Sequence, residues 1–209
     1  MTSEKKRPYK KRRRARHEAE TRQRITEATV KLHGTVGPAR TTIKDVAVEA
    51  GVQRATVYRH FPDLESLFGA CSAHWASLNA PPDPAAWEGK SLEAALTELY
   101  AWYEWGESML VNVRRDLPLV PAMAAPRAAF DARFAALRVA LMVGRPKRKR
   151  VAAAIGHALQ FETWRSLARE QRLSNRDAVE LMVALVDAAG SLQAGAAGKI
   201  RRPATRSAP

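Results

Sequence analysis

The stretch Thr41–Phe61, TTIKDVAVEAGVQRATVYRHF, constrains this chain more than any other part of it. It reads as two short amphipathic helical segments hinged at Ala50, Gly51 and Val52. In the first, Ile43, Val46 and Ala47 form an inner face, Thr42 is a good N-cap, and Asp45 sits in the first turn, where its charge suits the helix dipole. In the second, Val57 and Phe61 lie four residues apart on one face and leave Arg54, Ala55, Tyr58 and Arg59 largely on the other. Gly51 can enter a left-handed turn without steric cost. A small residue at the crossing (Ala47), a glycine in the turn and apolar anchors (Val52, Val57) are what a helix-turn-helix needs to present its second helix to a major groove about 12 Å wide. The same spacing fits an ordinary helical hairpin.

The flanks extend the helical pattern. His17–Gly34 carries Ile25, Ala28, Thr29 and Leu32 on one stripe, and Asp63 can cap a helix through Leu64, Leu67, Phe68, Cys71, Trp75 and Leu78. Pro81, Pro82 and Pro84 mark the clearest domain boundary. Beyond them Ser91 opens a helix with Leu92, Ala95, Leu96, Leu99 and Tyr103. Pro126 suits the first turn of the next, which holds Phe130, Phe134, Leu137 and Leu141. One long helix is expected through Val151, Ala154, Ile155, Ala158 and Leu159, and a last one after a capping box at Ser174 and Asp177. No period-two strand occurs, so the chain is expected to be all-α.

The run from Arg24 through Phe68, with Ile25, Ala28, Gly37, TTIKDVA, AGV and TVYRHFPDLESLF, resembles the N-terminal domain of the TetR family of bacterial transcription regulators. The resemblance covers about the first third of the chain. It implies a homodimer of all-helical subunits, each with a three-helix DNA-binding head, and a variable body that binds a small effector and changes the spacing of the heads. By position, Thr42 is implied as a phosphate contact, and Arg54, Ala55 and Thr56, with Gln53 beside them, as residues facing base edges. Tyr58, Arg59 and His60 match positions that meet the sugar-phosphate backbone. An arginine at position 54 could bond guanine O6 and N7 in bidentate fashion.

One departure shifts attention to the termini. The family often carries a lysine two residues after the position of Pro62, and here that residue is Leu64. Between His17 and Asn79, Arg and Lys balance Asp and Glu, so the head is neutral although the whole chain has a net charge of +14. The excess sits at the ends, +8 up to Arg16 and +4 from Lys199 onward. The arm, with Lys10, Lys11, Arg12, Arg13 and Arg14, is therefore expected to lie along the DNA backbone or enter a minor groove. The tail and the cluster RPKRKR at 145–150 are expected to be solvated.

In the body, Trp102, Tyr103 and Trp105 crowd one turn near Met109, and Phe161 and Trp164 crowd a later one. Successive residues turn by about 100°, so three neighbouring aromatics cannot share one narrow stripe. Each singly reads as core or interface packing; together they read as the wall of a pocket for a mostly apolar effector. The Ala-, Leu- and Val-rich last two helices are where the family builds its dimer interface.

The expected organisation is a disordered basic arm (1–16), a DNA-binding head (17–80, with the helix-turn-helix at 42–61), an effector-binding and dimerisation domain (85–196) and a disordered basic tail (197–209). The expected function is a sequence-specific regulator, a repressor released from a palindromic operator on double-stranded DNA by a small effector. An architectural DNA-binding protein without effector is the alternative. An enzyme fits poorly, since the five histidines are scattered, no glycine-rich phosphate loop occurs, and Cys71 lies on an apolar stripe. No cofactor or metal site is expected. A single cysteine and the want of an apolar run long enough to span a bilayer lead to the expectation of a cytoplasmic location.

Overall fold

The computed structural model describes residues 6–191, with side chains from residue 11 onward. Among them the elements are helical throughout: α1 (Lys6–Thr35), α2 (Ile43–Glu49), α3 (Arg54–His60), α4 (Leu64–Leu78), α5 (Leu92–Asp116), α6 (Ala124–Met142), α7 (Lys149–Ala158), α8 (Phe161–Arg165) and α9 (Asn175–Ser191). No helix is long and apolar enough to cross a membrane among the described residues. The tail from residue 197 onward, with Lys199, Arg201, Arg202 and Arg206, and the side chain of Lys10 lie outside the described residues.

Helices α1 to α4 enclose one apolar core and α5 to α9 a second. In the first, Ile25, Val57, Phe61, Leu67 and Phe68 are sealed from solvent. Full burial of such side chains is worth about 1.5–3 kcal/mol each. In the second, Trp87, Leu96, Leu99, Tyr100, Tyr103, Leu137, Ile155 and Trp164 are buried. The two cores meet where α1 and α4 pack on α5 and α6. Met123, on the single-turn link between α5 and α6, inserts into the first core with Val113 and Leu117 beside it.

Two features depart from the sequence expectations, and a third, the end of α7, adds a contact the sequence does not show. The segment expected as a disordered arm is helical from Lys6, as the start of α1. Lys and Arg are good helix formers, Pro8 falls in the first turn where its missing amide is harmless, and Arg16 pairs with Glu20 one turn on at 2.8 Å. The helix expected through Leu159 is α7, which stops at Ala158 with Leu159 as its C-cap, and α8 starts after a break at Phe161. There the hydroxyls of Tyr100 and Tyr103 donate to the carbonyls of Ala158 and Leu159 at 3.0 and 2.6 Å, so α5 satisfies the acceptors that the break exposes. Lastly, the cluster at 145–150 is not simply solvated. Arg148 and Arg150 donate to the carbonyls of Gly190 and Ala189 at 2.8 and 2.7 Å, and Arg145 stands 3.9 Å from Asp187. Cations there bind carbonyls of the last described turn of α9, where positive charge suits the helix dipole.

Candidate nucleic-acid interface and interior cavity

Helices α2 and α3 are joined by a turn with Gly51 at φ +64°, and the Val52 amide donates to the Ala47 carbonyl at 2.9 Å. Val46, Ala47 and Val57 are buried beneath the crossing. The outer side of α3 is thereby left open. Gln53 is its N-cap residue with no side-chain capping bond, and Gln53, Arg54, Ala55, Tyr58 and Arg59 are exposed, with Thr56 half-buried. Neither Arg54 nor Arg59 forms an ion pair among the described residues, so both guanidinium charges face solvent uncompensated.

Two of the residues selected from the sequence sit differently from their neighbours. The Thr42 hydroxyl is engaged in a capping box: it accepts from the Asp45 amide at 3.2 Å and donates to the Asp45 carboxylate at 2.6 Å, while the carboxylate accepts the Thr42 amide at 3.1 Å. His60 is half-buried with Nε2 enclosed and without a partner among the described residues. Burial, then the nearby Arg59 and Arg22 cations, lowers its pKa from the ordinary histidine value. Leu64, where the family often has lysine, is 43% exposed at the start of α4.

Positive charge is concentrated beside the head, on the first turns of α1. Lys11, Arg13, Arg14 and Arg16 of α1 line an open cleft of about 1360 Å³ whose opposite side includes Arg59 of α3. Glu18 and Glu20 are the acids in this lining, so cations outnumber them five to two. Arg22, which carries no signal in the sequence pattern, fixes the geometry of this corner. Its guanidinium lies 4.0 Å from the Phe61 ring centroid and donates to the His60 carbonyl, tying α1 to the end of α3.

A cavity of about 540 Å³ lies between α1, α4, α5 and α6. Of the aromatic set selected from sequence, Trp102 and Met109 line it. Tyr103, Phe161 and Trp164 are instead buried in the second core, and Trp105 is 45% exposed against Trp75, with ring centroids 5.3 Å apart. Much of the remaining apolar wall comes from residues that the sequence did not single out for a pocket: Cys71 and Trp75 of α4, Met123, and Phe130 of α6. No local signal separates these from packing residues, because the cavity exists only where four helices diverge.

His33 also lines the cavity and is 2% exposed. Its Nδ1 lies 3.5 Å from the Cys71 sulfur, its ring meets Phe68 edge-on, and its Nε2 has no partner among the described residues. Burial drives its pKa down to about 4, partly offset by the Asp116 carboxylate. Burial likewise pushes the Cys71 thiol up to about 12, so this cysteine is a protonated packing group and no nucleophile.

The same helix that walls the cavity holds the loop leading to α2. Asn112 donates from Nδ2 to the carbonyls of His33 and Gly34 at 3.1 and 3.0 Å. Arg115 donates to the Val36 carbonyl at 2.9 Å, and the Asp116 carboxylate accepts the Ala39 amide at 3.0 Å. Asp116 is 2% exposed and paired with Arg115, whose hydrogen bonds hold its carboxyl below the usual range. Gly37, at φ +96°, lets this latch close: a Cβ there would meet Arg115 Nη2 at 2.2 Å and Asp116 Oδ2 at 2.4 Å.

Comparison with known proteins finds a family match within the head. Residues 25–71 match the family model described as bacterial regulatory proteins, tetR family. The solved structure of a TetR transcriptional regulator from Rhodococcus sp. RHA1 shares 20% sequence identity, with a TM-score of 0.45 over 83% of this chain and 97% of that one. No curated protein matches the chain.

Proposed function

We propose that the chain is a transcriptional regulator whose head, matching the model of bacterial regulatory proteins of the tetR family over residues 25–71, binds DNA, and that it acts as a homodimeric repressor released from a palindromic operator by a small, mostly apolar effector. One observation carries the effector part of this reading. Helix α5 supplies Trp102, Met109 and Leu110 to the cavity and, within two further turns, Asn112, Arg115 and Asp116 to the latch on the α1–α2 loop. A ligand that shifts α5 also shifts the support of the helix-turn-helix, so its differential affinity for the two arrangements biases DNA binding.

For the DNA part, Arg54 and its neighbours on α3 read base edges, while Tyr58, Arg59 and the α1 cations hold phosphates. The organisation into arm, head (17–80), body (85–196) and tail is part of the same proposal. Dimerisation is supported by α9, where Leu181, Ala184, Leu185 and Ala188 form an exposed stripe at helical spacing. Genomic fragments that co-purify with the protein, footprinted with and without apolar compounds, test the proposal. Two protected half-sites one helical turn apart that vanish with ligand support it. Uniform coating insensitive to any compound sinks it in favour of an architectural DNA-binding protein.

A further inference from the structure

The cavity's chemistry is not purely apolar. Trp75, Trp102 and Phe130 provide flat surfaces, with Trp75 and Trp102 edge-on at 5.4 Å and Trp102 and Phe130 at 6.3 Å. Three guanidinium groups share the lining with one carboxylate. Two of the three are answered: Arg127 pairs with Asp131 at 3.2 Å, and Arg114 with Glu162 at 2.6 Å. Arg133 is different. It is half-buried, donates from Nη1 to the neutral Pro82 carbonyl at 3.0 Å, and has no carboxylate within ion-pair distance among the described residues. A partly desolvated cation facing an aromatic cavity favours a ligand that brings its own negative charge. The buried, unpartnered Nε2 of His33 in the same lining is a second polar site for an occupant that is not hydrocarbon alone.

We infer that the cavity takes an aromatic anion: a flat apolar body held among Trp75, Trp102 and Phe130, with an acidic group on the Arg133 guanidinium. This rests on the effector reading and narrows its ligand class. A volume of about 540 Å³ holds a two- or three-ring compound.

A matched pair of fluorescent probes tests it on the full-length protein: 1-anilinonaphthalene-8-sulfonate and N-phenyl-1-naphthylamine, which share a skeleton and differ in the sulfonate. The sulfonate is expected to bind at least about 10-fold tighter, as one charge-assisted hydrogen bond provides. R133Q should erase that preference while leaving naphthylamine affinity within about twofold, since the apolar contacts remain. R138Q, on an exposed residue outside the lining, should leave the preference intact and so exclude general attraction to a basic chain. R133K, which keeps the charge, should retain a reduced preference and guards against misfolding of R133Q. Equal binding of the two probes, or a preference that survives R133Q, overturns the anion assignment. In that case, release of DNA by the neutral probe leaves the effector reading standing. Binding of neither probe overturns both.

Discussion

Replacing Gly37 by alanine isolates the joint between head and body. The backbone there has φ +96° and ψ 159°, a region essentially reserved for glycine, so any side chain costs about 1–3 kcal/mol in strain. The new methyl would also stand 2.2 Å from Arg115 Nη2 and 2.4 Å from Asp116 Oδ2. Those groups must retreat, which weakens the bond from Arg115 to the Val36 carbonyl and that from the Ala39 amide to Asp116. Charge-assisted bonds of this kind contribute roughly 1.5–3 kcal/mol each, and partial loss of the two brings the total to about 3–5 kcal/mol. At roughly 2–4 °C per kcal/mol for a chain of this size, Gly37→Ala should lower the melting temperature by about 6–20 °C. Circular dichroism melts measure it. Gly89→Ala is the control, because Gly89 has φ +75° with nothing within 4 Å of a built Cβ, so it carries strain alone. The latch is refuted if Gly37→Ala falls no further than Gly89→Ala.

Other consequences are equally direct. The unfolded chain protonates His33 near pH 6.5 and the folded chain only near pH 4, so the stability it contributes is full above pH 6.5 and drains as pH falls toward 4. The loss should reach about 2 kcal/mol by pH 5, and His33→Gln should flatten denaturation midpoints across that window. Tyr103→Phe strips the donor from the buried Leu159 carbonyl and should cost about 1–3 kcal/mol in chemical denaturation; an unchanged midpoint would mean water replaces it. Deleting residues 1–16 should weaken operator binding and reduce the slope of log K against log salt by about 0.9 for each phosphate that the arm neutralises, as gel shifts at several salt concentrations would show. Leu181→Glu with Leu185→Glu should yield monomers in sedimentation, and an intact dimer would move the interface off this stripe.

What the sequence determined by itself was local. The two helices around Gly51, the cap at Thr42, the caps at Asp63 and Ser91, and the Ser174 hydroxyl that accepts the Asp177 amide are set by neighbours within four residues, and all are found in the structure. So was the open face of α3, because a period of 3.6 decides which side of a short helix is buried. Tertiary structure decided the rest. The break between α7 and α8 depends on two tyrosines about 57 residues away in sequence, a relation no periodicity carries. The basic cluster at 145–150 is tied to α9 because its partner carbonyls arrive about 40 residues later. The cavity drew its wall from four helices, so aromatic crowding on α5 alone did not separate Trp102, which lines it, from Tyr103 in the core. Thr41–Phe61 thus sets its own exposed face, while α5, through Asn112, Arg115 and Asp116, decides how the loop leading into it is held.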